Sequence, residues 1–218
     1  MIRLTLAAAC AALPLSAAAE EFRWAGQTDP QTMDPHAVSS APVLGFLNNV
    51  YEGLVRRDRD MAIEPALATS WEPLDDGAGW RFTLREGVTF HDGATFDSDD
   101  VIFSYKRAAS EDSDVSSWFA PVSEVVRVDD FTVDFMTTAP NPIFPDSIAN
   151  FMIMDAGWAA ENDAERPSEA GNAATLAANG TGAFRLVDRQ PGLQTVLEPF
   201  EDWWGEATHN ITRATFSP

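Results

Sequence analysis

The chain has 218 residues, and its 34 acidic residues outnumber its 14 basic ones, which gives a net charge of −20 at pH 7. A surface of this charge repels nucleic acid and anionic lipid, so the composition argues against both as partners. The length suffices for one large domain or two small ones. After the first twenty residues, no stretch is apolar enough to be inserted into a membrane.

The first nineteen residues have the pattern of a secretory signal peptide. Arg3 precedes an apolar run from Leu4 to Leu15, and Ala17-Ala18-Ala19 offers a cleavage site of small residues before Glu20. The apolar run is shorter than the stretch of about 20 residues that a transmembrane helix needs. We therefore expect an exported protein located in the periplasm. The only cysteine, Cys10, lies inside this segment, so the rest of the chain can form no disulfide.

Strand and helix signals alternate along the rest of the chain without a long disordered linker. Residues 21–27 (EFRWAGQ) predict a strand, which leads into a polar loop that contains prolines. Apolar residues at helical spacing then predict a helix with Pro42 in its first turn. They are Val43, Leu44, Leu47, Val50, Tyr51 and Leu54. Residues 80–84 alternate between apolar and polar types, which predicts a half-buried strand after a turn at residues 75–77 (DDG).

The second half of the chain continues the same alternation. Ser98 is predicted to be the N-cap of a helix, because Asp99 and Asp100 would then lie in its first turn. A second hairpin turns at residues 129–130, and a proline-framed segment (NPIFPDSIANF) predicts a short helix. Residues 159–179 contain few large apolar side chains, so we interpret them as a surface connection. The chain then returns to strands at GAFRLVD, LQTVLEPF and ITRATF.

Catalytic and metal-binding patterns are missing from the sequence. The three histidines, at positions 36, 91 and 209, have neither the short spacing nor the partners that a zinc site usually has. We find no G-x-S-x-G elbow, no phosphate-binding loop and no candidate catalytic cysteine. The turn His91-Asp92-Gly93 is interpreted as structural. We therefore predict no catalytic residue, no metal and no cofactor, although a secreted hydrolase with paired carboxylates remains an alternative.

One long segment carries a family resemblance. Residues 67–107 (LATSWEPLDDGAGWRFTLREGVTFHDGATFDSDDVIFSYKR) resemble the signature region of the solute-binding proteins of peptide-type ABC transporters, the bacterial family 5 or dipeptide/oligopeptide-binding group. Three flanking blocks match in the expected order: MDPHAVSSAP, VYEGLVRRD and GTGAFRLVDRQPGLQTVLEPFEDWWG. The departures are mild. They are Met33, Ala183, Phe200 and Trp203, where the family commonly has Leu, Pro, Asn and Tyr.

The resemblance implies a binding protein and not an enzyme. Its fold would be α/β, a periplasmic-binding-protein-like (type II) lobe with an inserted scaffold subdomain. Such proteins capture a peptide or another small solute between two lobes and deliver it to the permease subunits of an ABC transporter. Two alternatives remain open at this point, the secreted hydrolase and a truncated fragment that binds nothing.

Family members are usually considerably longer, so the resemblance implies that the second lobe is missing from this chain. We expect a signal peptide at residues 1–19, the N-terminal part of the first lobe at 20–49, the scaffold subdomain at 50–172 and a return to the first lobe at 173–218. Solute binding by such a chain should be weak. An apolar face should also lie open and promote association, formed by Phe184, Leu186, Val196 and Leu197.

Ligands of open α/β sheets bind beyond the ends of strands, in loops that lead into helices. Two loops fit that rule and the family match. We call residues 29–34 the first candidate loop and residues 179–181 the second candidate loop. The residues that we expect to contact a ligand are Asp29, Gln31, Thr32, Met33, Asp34, Asn179, Gly180 and Thr181.

The signal-peptide assignment predicts the N-terminus of the exported protein. We expect it to begin at Glu20 and to carry no acyl group, because the small residues before Glu20 suit signal peptidase cleavage. Processing as a lipoprotein at Cys10 would leave almost no apolar core in the signal. Intact-mass measurement of exported protein distinguishes the two, and a diacylated cysteine would contradict our assignment.

Overall fold

The computed structural model describes residues 20–168 and 171–218, so the predicted signal peptide lies outside the described residues. The strands are β1 (Glu20–Ala25), β2 (Val55–Arg57), β3 (Ile63–Pro65), β4 (Ala68–Pro73), β5 (Gly79–Leu84), β6 (Val122–Asp129), β7 (Thr132–Thr137), β8 (Phe184–Gln190), β9 (Gln194–Pro199) and β10 (Ile211–Ser217). The α-helices are α1 (Ala41–Leu47), α2 (Ser98–Ala108), α3 (Phe144–Ser147) and α4 (Ala156–Glu161). This α/β architecture matches the predicted fold class.

One four-stranded sheet joins the two ends of the described chain. Its strand order is β1-β10-β9-β8, and β1 pairs with β10 in parallel while the other pairs are antiparallel. Trp24 of β1 and Phe216 of β10 are partners in register, and both rings contact Phe46 of α1. The apolar face of the sheet and α1 therefore share one core, although the subdomain boundaries themselves stay predictions.

The second four-stranded sheet is antiparallel, in the order β4-β5-β7-β6, and α2 packs against it. The alternation predicted for β5 is confirmed, since Phe82 and Leu84 are buried and Thr83 is exposed. Phe82 meets Phe135 of β7 edge to face at 5.4 Å, a favourable arrangement for two aromatic rings. This core surrounds the stretch that carries the family resemblance, so that stretch forms structural framework.

The predicted first helix ends earlier than its apolar pattern indicates. Helix α1 stops at Leu47, and the chain then runs non-helically although Val50, Tyr51 and Leu54 are fully buried. The carbonyl of Val50 accepts a hydrogen bond from the amide of Gly182 at 2.9 Å, so this stretch pairs with a distant segment. Its apolar spacing therefore reflects burial by tertiary contacts and not helical periodicity.

The N-cap of α2 is Asp97 and not Ser98. The Asp97 carboxylate accepts the amide of Asp99 at 2.7 Å, and the Asp100 carboxylate accepts the amide of Asp97 at 3.1 Å, which completes a capping box. The Ser98 hydroxyl is buried and has no hydrogen-bond partner among the described residues. Asp99 and Asp100 do lie in the first helical turn, as predicted.

Two further expectations need correction. Val196 and Leu197 are each only 1% exposed, so they do not form an open apolar face, because Leu197 packs into the core beneath α1. The predicted surface connection at 159–179 is also partly buried, since the small side chains of Ala159, Ala164 and Ala174 allow close packing. Phe184 and Leu186 are half-buried, and the self-association expected from an open face stays a prediction.

The capping box gives a test of the helix boundary. Replacing Asp97 with alanine should lower the free energy of unfolding by about 1 kcal/mol, because the helix loses its N-terminal hydrogen bond. Ser98→Ala is the matched control and should change stability little, since it removes a buried hydroxyl without a partner. Urea unfolding followed by circular dichroism measures both. The reverse order of effects would contradict the assignment of Asp97.

Candidate functional site

The parallel strands β1 and β10 end at the same edge of their sheet. The amide of Gly26 donates to the carbonyl of Ser217 at 3.1 Å, which keeps the two strand ends together. The carboxyl ends of parallel strands are where open α/β sheets usually bind ligands. The first candidate loop leaves the sheet at this edge, so its geometry is the starting point for the site.

A buried ion pair fixes the end of the first candidate loop. The guanidinium of Arg107, on α2, donates to both carboxylate oxygens of Asp34, at 2.7 and 2.5 Å. The Arg107 side chain is 0% exposed and that of Asp34 is 2% exposed. Arg107 also donates from Nε to the carbonyl of Ala164 at 3.0 Å. Breaking such a pair by removing one partner usually destabilises a protein by about 3–5 kcal/mol, so Asp34 has a structural role here.

His36 lies beside this ion pair and is also buried. Its Nε2 donates to the carbonyl of Met152 at 2.9 Å, and its backbone amide donates to Asp34 at 3.0 Å. Burial, together with the positive charge of Arg107, lowers the pKa of His36 to about 4. The imidazole is therefore neutral at physiological pH.

The other residues predicted in the first candidate loop differ in accessibility. Asp29 pairs with Arg189 of β8, and Thr32 accepts the amide of Asp34 on its hydroxyl oxygen at 3.0 Å. Met33 is fully buried, whereas Gln31 is exposed. Of the five residues predicted in this loop, Gln31 alone has a side chain classed as exposed.

The second candidate loop is held from both sides by side chains of the framework. The amide nitrogen of Asn179 donates to the carboxylate of Asp155 at 2.9 Å, and the hydroxyl of Thr181 donates to Glu52 at 3.0 Å. Gly180 has no room for a side chain, because an added Cβ would lie 2.1 Å from the carbonyl oxygen of Val50. All three predicted residues of this loop are therefore buried, with specific internal partners or contacts.

The His91-Asp92 turn supports the second candidate loop. The amide of His91 donates to the carbonyl of Gly180 at 2.9 Å, and its Nε2 donates to the carbonyl of Gly182 at 2.9 Å. The amide of Asp92 donates to the side-chain oxygen of Asn179 at 3.2 Å. This turn is a structural support, as the sequence interpretation proposed, because its polar groups bond to the protein itself.

Glu52 is a buried carboxylate beneath the second candidate loop. Besides Thr181 it accepts the indole N–H groups of Trp204 at 2.7 Å and Trp203 at 3.4 Å. Burial raises the pKa of Glu52, and these hydrogen bonds offset only part of that rise. Glu52 therefore connects the loop to the segment that carries the two tryptophans.

An aromatic groove of about 750 Å³ lies along the apolar face of the first sheet, next to α1. Its lining includes Trp24, Phe46 and Phe216, as well as Thr28 and Pro30. None of the eight residues predicted to contact a ligand lines this groove, although Pro30 lies within the first candidate loop. The sequence did not single out these three rings, because local alternation does not show which strands and helices come together.

Within residues 20–168 and 171–218, no group of three or more His, Cys, Asp or Glu side chains is placed to hold a metal ion. In the same ranges, no helix has the length and apolar composition needed to cross a membrane.

Comparison with known proteins places this geometry in context. The sequence profile of the bacterial extracellular solute-binding proteins, family 5 Middle, matches residues 62–218. The periplasmic murein peptide-binding protein MppA of Escherichia coli (strain K12) is 25% identical over 87% of this chain and 38% of its own length. The dipeptide-binding protein of the same organism is 28% identical over 94% of this chain and 42% of its own length. The chain thus spans about two fifths of the length of these curated relatives.

Solved structures share the fold. NikZ from Campylobacter jejuni, in complex with Ni(L-His), superimposes with a TM-score of 0.79 at 22% identity, over 90% of this chain and 38% of its own. The dipeptide binding protein from Pseudoalteromonas sp. SM9913, in complex with Met-Leu, superimposes with a TM-score of 0.78 at 20% identity. The match covers 91% of this chain and 43% of that protein. At these identities the likeness establishes the fold alone.

The buried imidazole predicts a specific pH dependence. Because the pKa of His36 is lower in the folded than in the unfolded chain, its contribution to stability is present above about pH 6.5 and is lost as the pH falls towards 4. His36→Gln keeps a donor for Met152 but cannot titrate. The variant should therefore lose about 3 kcal/mol less stability than the original protein between pH 7 and pH 4. Urea unfolding at several pH values measures this, and equal losses would contradict a buried neutral His36.

Proposed function

The chain belongs to the bacterial extracellular solute-binding proteins of family 5, and we propose that it serves as a periplasmic substrate-binding component of an ABC transporter. It would capture peptides, or a similar small solute, and deliver them to a membrane permease. The observation that carries this proposal is the family match over residues 62–218, together with the shared fold. Export to the periplasm is part of the proposal and agrees with the sequence pattern of residues 1–19.

Peptides are the preferred solute class because of what the relatives bind. Two curated relatives are named for a murein peptide and for dipeptides, and one structure with this fold holds Met-Leu. Another structure with the same fold holds a nickel-histidine complex, so the fold alone does not select a peptide. A different small solute therefore remains the second possibility within the same role.

We propose that the two candidate loops contribute to the solute site mainly through main-chain groups. Apart from the exposed Gln31, the predicted residues have side chains that are buried or bound within the protein. Main-chain contacts suit a peptide ligand, because the backbone is common to all peptides while side chains vary. A second lobe would cover the solute by hinge closure, with binding energy offsetting the loss of freedom on closing.

The secreted hydrolase is not favoured, because the matching family model and the curated relatives are those of binding proteins. Beside the candidate loops, Asp34 and Glu52 are buried and accept internal hydrogen bonds, so neither is placed to act as an acid or a base on a substrate. We accordingly propose a binding role without catalysis, metal or cofactor.

Peptide binding by the 218-residue chain tests this role. We expect Met-Leu to quench or shift tryptophan fluorescence saturably but weakly, because one lobe buries only part of a ligand while much of the association entropy is still lost. An equimolar mixture of free methionine and leucine is the matched control and should cause no saturable change in tryptophan fluorescence. Chromatography of the same samples detects turnover.

Two results would contradict the proposal. A fluorescence change that does not saturate with Met-Leu would exclude dipeptide binding by this chain, whereas submicromolar affinity would contradict only the expectation that binding is weak. Cleavage of the dipeptide that disappears when one Asp or Glu is neutralised would favour the hydrolase instead.

A further inference from the structure

Arg189 forms a buried fork beneath the first candidate loop. It lies on β8, and its side chain is only 1% exposed. The guanidinium donates to the two carboxylate oxygens of Asp29 at 2.7 and 2.9 Å, to the hydroxyl of Thr195 at 2.8 Å and to the carbonyl of Pro30. One cation thus holds both the side chain and the backbone of the loop.

The carboxylate of Asp29 is engaged on both oxygens. Besides the Arg189 fork, it accepts the backbone amide of Gly192, in the turn between β8 and β9, at 2.8 Å. Burial would raise the pKa of Asp29, but the bonds from Arg189 and Gly192 outweigh that effect and lower it. Asp29 therefore stays ionised and fastened to the β8–β9 hairpin.

The position of this pair matters for the groove. Pro30, whose carbonyl Arg189 holds, lines the aromatic groove together with Thr28. Residues of α1, including Phe46, line the groove as well. The Asp29–Arg189 pair thus links β8 to the loop that borders this groove.

We propose that Asp29 and Arg189 are a positioning pair, which fixes the first candidate loop for solute binding without Asp29 itself contacting the solute. This inference rests on the proposed function, because it concerns the loop at the proposed solute site. It differs from the sequence expectation, in which Asp29 contacts the ligand directly. For a peptide, the natural partner of a carboxylate would be the α-ammonium group.

The residue type at position 189 supports this role. A guanidinium is planar and can donate to both oxygens of one carboxylate at once, whereas a lysine ammonium is a point charge. Among the described residues, Asp29 is the only carboxylate that forms an ion pair with Arg189. Loss of Asp29 would therefore leave a buried cation uncompensated, and loss of Arg189 would release the loop.

Hydrogen exchange tests the positioning role without any ligand. The amides of Met33 and Gly192 are suitable reporters, because they donate to Thr175 and Asp29 respectively. Asp29→Asn and Arg189→Gln should each speed exchange in residues 26–34 by about ten- to a hundredfold. Exchange in the double variant should be little faster than in either single variant, since both substitutions break the same ion pair.

Two further variants make the exchange experiment decisive. Amide exchange in Arg189→Lys should be faster than in the original protein and slower than in Arg189→Gln, because lysine keeps the charge but cannot donate to both carboxylate oxygens. Arg189→Lys also replaces the glutamine variant in the experiment if that variant does not fold. Arg185→Gln is the matched control: Arg185 lies on the same strand, is exposed and pairs with Glu198, so its loss should leave the loop protected. Unchanged protection in both Asp29→Asn and Arg189→Lys would overturn the proposal.

Binding separates positioning from direct contact, with Met-Leu and N-acetyl-Met-Leu as the probes. A positioning role predicts that Asp29→Asn weakens the binding of both dipeptides by the same factor. Arg189→Gln should also weaken the binding of both dipeptides equally. Direct contact predicts a loss for Met-Leu alone, because only that dipeptide carries an ammonium group, and this result would overturn the proposal. If neither dipeptide binds the original protein, the proposed function fails for dipeptides, while the exchange experiment still decides whether the pair positions the loop.

Discussion

The pairing of β1 with β10 joins the two strands of the described chain that are farthest apart in sequence. It joins the start of the described chain to its end, so all the intervening residues form a loop that this pairing closes. The entropic cost of closing a loop grows only slowly with its length, so a pairing of modest strength can offset the cost of closing even this long loop. The aromatic contacts of Trp24, Phe46 and Phe216 lie on this seam and supply the apolar burial that stabilises it.

The two candidate loops are held in place in the same way. Each follows an irregular path, and each is held by charged or polar side chains from elements distant in sequence. Arg107 reaches Asp34 from α2, and Glu52 reaches Thr181 from the segment after α1. Buried polar groups need such partners, so the side chains of the loops serve the framework. If these loops bind a solute, their internal hydrogen bonds reduce the ordering that binding requires.

The fold class was predicted from the family resemblance, while individual strands were predicted from the local alternation of apolar and polar residues. Phe82 and Leu84 on one face of β5 are an example, and so is the turn before it. The end of α1 could not be predicted from the sequence, because Val50 is hydrogen-bonded to Gly182, more than a hundred residues away. The N-cap of α2 was missed by one residue, since Asp97 and Ser98 are both good caps and only the backbone geometry distinguishes them. Helix α4 was missed too, although Asp155 before it is a usable signal.

The sequence predicts the candidate site as two loops, which stay predictions, and it does not specify their contacts. The loop positions follow from the family resemblance and from the rule about strand ends. The internal partners of Asp34, Asn179 and Thr181 come from other elements, and no local pattern specifies them. The aromatic groove was likewise hidden, because its rings come from both ends of the chain and from α1.

The indole of Trp204 has an unusual electrical environment. The guanidinium of Arg85 lies 3.9 Å from its ring centroid, while its N–H points at the Glu52 carboxylate, so the chromophore sits between a cation and an anion. An electric field across an indole shifts its emission colour. The emission wavelength of Trp204 should therefore change when the charge of Glu52 changes, and Glu52 is the carboxylate that also accepts the hydroxyl of Thr181.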